Sequence, residues 1–83
     1  MSSVIGENSD LFIKGQKLHI QTEDWGAKDQ SLVCRIFKNG AVIKTFRFPY
    51  EKIENVQSLA HRRSALVQFH QWVIDSVSKD NTL

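Results

Sequence analysis

Three histidines, one cysteine and scattered acids are the residues of this chain with the chemistry to hold a metal or drive a reaction. His19 and Glu23 stand two pleats apart on one strand face, with His61 or His70 available to complete a metal set. No short-range ligand pair accompanies them, and a polar strand face in water accounts for the same residues, so no metal is assigned. Cys34 is the only cysteine, which excludes an internal disulfide and any multi-cysteine metal site. It falls mid-strand with no adjacent histidine, and reads as a buried thiol. No serine carries the flanking glycines of a nucleophile elbow, and an isolated His and Glu suffice for no recognised reaction class. The sequence therefore predicts no catalytic residue, no cofactor and no enzyme.

A second constellation is basic and aromatic, and the element that must position it is the stretch SLVCRIFKNGAVIKTFRF, residues 31 to 48. Asn39-Gly40 sits between two strand-like runs and suits the positive φ angles of a type I′ hairpin turn. A two-residue loop then pairs Phe37 with Val42, Ile36 with Ile43, Arg35 with Lys44, Cys34 with Thr45 and Val33 with Phe46. Leu32, Cys34, Ile36, Ile43 and Thr45 form the expected core face. The other face carries Val33, Arg35, Phe37, Val42, Lys44, Phe46 and Phe48. Arg35 beside Lys44, flanked by phenylalanines, resembles the stacking platforms of single-stranded nucleic-acid binders. If the preceding strand pairs alongside, Glu23 and Gln21 share this face and Glu23 neutralises Arg35.

That preceding strand is KLHIQTE, whose alternation puts Leu18, Ile20 and Thr22 on one face and Lys17, His19, Gln21 and Glu23 on the other. DWGAKDQ breaks the pattern and reads as a loop. Residues 1–10 form an expected flexible arm, with Leu11, Phe12 and Ile13 as a short strand or plug at the start of a single domain, 11–80. Pro49 ends the third strand, and a helix is expected from Asn55 or Ser58 to about Lys79, with Asn81 as its stop. Its apolar residues, Leu59, Ala65, Leu66, Phe69, Trp72, Val73 and Val77, extended by Val67 and Ile74, span an arc of about 220°. A helix covering a small sheet needs only about 100°. Arg63 and His70 fall inside that arc, where they reach a carboxylate across an interface or snorkel to its rim.

The broad helix arc and the second, partly apolar sheet face point to one explanation, a homodimer that covers the excess. Covering by Trp25, Leu11 to Ile13 and Tyr50 within one chain is the alternative. At 83 residues, 41% hydrophobic and +2 in net charge, the chain has the composition of a globular domain with a small core. The start lacks the pattern of a signal peptide and no apolar run approaches a membrane span, so a cytoplasmic protein without membrane contact is expected.

The segments LHIQTEDWG, FKNGAVIKTFRFPY and AHRRSAL together resemble a family of small uncharacterised bacterial proteins with a His-x-Gln-Thr-Glu-Asp-x-Gly strand motif. The matching positions are His19, Gln21, Thr22, Glu23, Asp24, Gly26, Gly40, Tyr50 and His61. The resemblance implies no activity, but it singles out His19, Gln21, Glu23 and Asp24, either as a recognition edge for another strand or as a capped strand end in which Thr22 and Asp24 bond the loop amides. The expected architecture is α+β: a three-stranded antiparallel β-meander followed by one long C-terminal α-helix packed on the sheet. The expected role is a non-enzymatic protein-interaction or regulatory module, a homodimer or the partner of another protein. Its predicted contact residues are Arg35, Phe37, Lys44, Phe46, Arg63, Val67, His70, Trp72 and Ile74. A small nucleic-acid-binding protein using the basic, aromatic sheet face is the alternative.

Overall fold

The computed structural model describes residues 6–26 and 28–80. Four strands, β1 (Gly6–Ile13), β2 (Gln16–Asp24), β3 (Ser31–Lys38) and β4 (Ala41–Pro49), form one antiparallel sheet in the order β1-β2-β3-β4. A short 3-10 turn, Tyr50–Lys52, leads to the helix α1, Leu59–Asp80. The α+β meander with a long C-terminal helix stands, and the strand count rises from three to four. The added strand takes up residues 6–10 of the expected arm, while residues 1–5 lie outside the described residues, as does Asn81. Its turn is Lys14-Gly15, with φ of 52° and 77°, the same pair of positive angles that Asn39 and Gly40 adopt at 54° and 82°. Lysine is a poor marker of that geometry, so the turn left little trace in the sequence.

The hairpin of β3 and β4 starts in the expected register, Lys38 with Ala41 and Phe37 with Val42, and then slips. Ile36 faces Lys44 instead of Ile43, and from there Cys34 pairs with Phe46 and Leu32 with Phe48. A bulge at Ile43 causes this, and one extra residue in a strand turns every later side chain to the opposite face. Phe46 and Phe48 therefore lie on the helix side and pack against the core, correcting their assignment to the outer face. Burial decides the matter: two aromatic rings leave water, where the uninterrupted register would have spent those positions on Ile43 and Thr45.

The core lies between α1 and the inner sheet face. Leu18, Ile20, Leu32, Cys34 and Ile36 meet Leu66, Phe69, Val73 and Val77, with Leu11 and Ile13 of β1 packed at one side. Of the broad arc, Leu66, Phe69, His70, Val73 and Val77 are buried, whereas Leu59, Val67 and Trp72 remain exposed. Ser58 caps the helix, its Oγ accepting from the His61 amide at 3.4 Å, and its carbonyl accepts the Arg62 amide.

Candidate interaction surface

The structure sends the predicted contact residues to four separate places. His70 belongs to the core. It is 4% exposed, with Nδ1 2.7 Å from Thr22 Oγ1 and Nε2 2.8 Å from Ser9 Oγ. A neutral ring has one donor and one acceptor nitrogen, and two hydroxyls satisfy both, so the histidine ties α1 to β1 and β2. This corrects its reading as a rim or interface residue. Burial holds its pKa below the usual imidazole value. Thr22 stands opposite Cys34 in the β2–β3 ladder, and burial pushes that thiol toward the protonated, unreactive form.

The outer sheet face is polar and internally neutralised. Arg35 Nη2 lies 3.2 Å from Glu23 Oε1, and the same carboxylate accepts from Trp25 Nε1 at 3.0 Å and, through Oε2, from Gln21 at 2.7 Å. The Trp25 hydrogen bond, followed by that from Gln21, keeps the Glu23 carboxyl below its usual pKa. The Trp25 ring lies against the guanidinium groups of both Arg35 and Arg47, at 5.3 and 5.6 Å, and Arg47 is paired with Asp29. Val33, in register between Glu23 and Arg47, is fully buried on this face, so Trp25 roofs this end of the sheet. Lys44 is absent from this surface: the bulge places it on the helix side, and Thr45 stands opposite Arg35. The expected Arg35–Lys44 pair and the aromatic platform around it therefore do not form, and Phe37 alone of its rings stays on the outer face.

The segment His19 to Asp24 is not an edge. β2 is paired on both sides, with β1 and β3, so its backbone offers no open ladder to a further strand. His19 bonds Asp10 at 2.9 Å and does not converge with Glu23. An open hollow beside it is lined by Lys17, His19, Gln21, Phe37, Asn39 and Gly40. Asp24 instead clasps the start of the helix. Its carboxylate accepts from the Tyr50 hydroxyl and, at 3.1 Å, from Arg62 Nε, while Arg62 Nη1 donates to the Val56 carbonyl at 2.7 Å. Burial, reinforced by the bond to Asp24, pushes the Tyr50 hydroxyl up to about 12. A Cβ at Gly26 would overlap that hydroxyl, which gives the glycine of the strand motif a steric reason. Sequence reasoning found Asp24, Gly26 and Tyr50 but missed Arg62, whose position on the core-facing flank of the helix was the available signal.

The remaining surface lies where β4 meets the helix. β4 is an edge strand, and its residues from Ala41 to Thr45 are exposed. Above it the rings form a ladder. Phe48 and Phe69 have centroids 5.5 Å apart, Phe69 and Trp72 stack at 6.3 Å, and Trp72 meets Phe46 edge to face at 6.0 Å. Lys44 Nζ stands 5.4 Å from the Phe46 ring. Trp72 is nonetheless 56% exposed, and Val42 and Ile43 of β4 are exposed as well. Arg63, Val67 and Ile74 are on the other flank, Val67 lying about 140° from Trp72 around the helix axis.

Among the described residues, no group of three or more His, Cys, Asp or Glu is placed to hold a metal. No described helix is long and apolar enough to cross a membrane. No protein-family model matches the chain, and comparisons with curated proteins and with solved structures also returned no match.

Proposed function

We propose that the protein is a non-enzymatic interaction module of the bacterial cytoplasm that acts as a homodimer, joined on the side where β4 adjoins α1. The observation that carries this reading is Trp72: a ring more than half exposed, yet held in a fixed ladder by Phe69 and Phe46 beside an open strand edge. Rigid aromatic anchors next to unpaired backbone are what strand-adding interfaces use, the backbone supplying hydrogen bonds and the ring supplying desolvated area. The neutralised outer face supports the same choice, because Arg35, Arg47 and Lys17 already have acidic partners in Glu23, Asp29 and Asp10. Light scattering after size exclusion, over a hundredfold range of protein concentration, tests it. The expected mass rises toward twice 9.5 kDa, and Trp72→Ser shifts the midpoint at least tenfold upward, about 1.4 kcal/mol. A chain mass that stays single throughout would contradict the proposal.

A further inference from the structure

We propose that two copies meet β4 to β4, antiparallel across a two-fold axis at Thr45, so that two four-stranded sheets become one of eight strands. This rests on the self-association reading above and adds the strand and the register. Among the described residues the sheet has two open edges. β1 carries the acids Glu7 and Asp10 and starts at Gly6, and its Ser9 side chain is held by His70, whereas β4 runs beside the exposed Trp72 ladder.

The register follows from faces and charges. A two-fold axis normal to the sheet keeps both helices on one side, and residues directly opposite in an antiparallel pair share a face. The axis must then pass through a residue and not between two. Centring on Lys44 or Arg47 sets like charges directly opposite, which is unfavourable. Centring on Phe46 sets the bulged Ile43 opposite Pro49, which has no N–H to give. Thr45 remains. Lys44 then falls opposite the second copy's Phe46, repeating across the axis, twice, the contact it makes at 5.4 Å within its own strand. Arg47 falls opposite Ile43, whose apolar surface is 41% exposed in one chain. The ladder runs only from Ile43 to Arg47 before the bulge interrupts it, so the interface is small and the dimer concentration-dependent.

A cysteine at the axis tests this. Opposite Cα atoms in an antiparallel pair are about 4.5–5.5 Å apart, within disulfide range. Thr45→Cys, mildly oxidised at a concentration where the wild type is dimeric, is expected to give a covalent dimer at least tenfold faster than Asn8→Cys on β1. Should Thr45→Cys fail to fold, amide exchange on the wild type reads the same point, with protection of β4 amides rising with concentration and that of β1 unchanged. A doubled mass with no preferential crosslink or β4 protection overturns the register and leaves self-association intact. A monomer at every concentration overturns both, and leaves the β4 edge to a strand from a different protein.

Discussion

At the scale of single residues, the buried hydrogen bond between Thr22 Oγ1 and His70 Nδ1 ties β2 to the helix. Thr22 on the inner face of β2 was legible from alternation, and His70 within the helix's buried arc was legible from periodicity. That they meet was not, because a helical wheel gives direction and not the identity of the strand residue opposite. The pairing has a pH consequence. Burial makes the native ring resist protonation, while the unfolded ring titrates at the ordinary imidazole value of about 6.5. The unfolded state then binds more protons below that pH, and stability falls as pH drops through it until the native ring also titrates. The groups acting on His70 are Ser9 and Glu7 of β1 and Thr22 and His19 of β2, with Glu7 the only carboxylate among them. Urea unfolding at pH 7.5 and 5.5 is expected to show this loss in the wild type and not in His70→Gln. Equal pH dependence in the two proteins contradicts the assignment. At the clasp, Arg62→Met leaves a largely buried Asp24 carboxylate without its cation, a loss of about 2–4 kcal/mol readable by urea unfolding. Arg63→Met, by contrast, is expected to cost under about 0.5 kcal/mol.

At the scale of elements, the sheet was legible as a meander because alternation and Asn39-Gly40 state it directly. The bulge was not. A run such as AVIKTFRF alternates equally well in either frame, and only burial of Phe46 and Phe48 against the helix selects the observed one. The two frames differ in what deletion of Ile43 does. In the observed register, Lys44 to Phe48 keep their partners when Ile43 is removed, so the variant is expected to fold with a small change in melting temperature. In an uninterrupted hairpin Ile43 would sit in the core opposite Ile36, and the same deletion would remove it and turn every later side chain to the opposite face, a loss of several kcal/mol by area. Thermal unfolding of the deletion variant distinguishes them. The helix start is simpler: Ser58→Ala removes the cap and is expected to cost about 1 kcal/mol.

At the scale of the whole molecule, the excess apolar surface read from the sequence is resolved unevenly. β1 covers the inner face with Leu11 and Ile13, Trp25 roofs one end of the outer face, and Trp72 with β4 stays open. An interface there brings the Lys44 side chains of two copies near each other, so added salt should strengthen association by screening, the opposite of nucleic-acid binding. Fluorescence reads directly whether a second copy covers Trp72. In a Trp25→Phe background, Trp72 is the only tryptophan, and its quenching by acrylamide can be followed against protein concentration. The quenching constant is expected to fall at least twofold as the mass doubles. Doubling of the mass with Trp72 as accessible as in the monomer would contradict it.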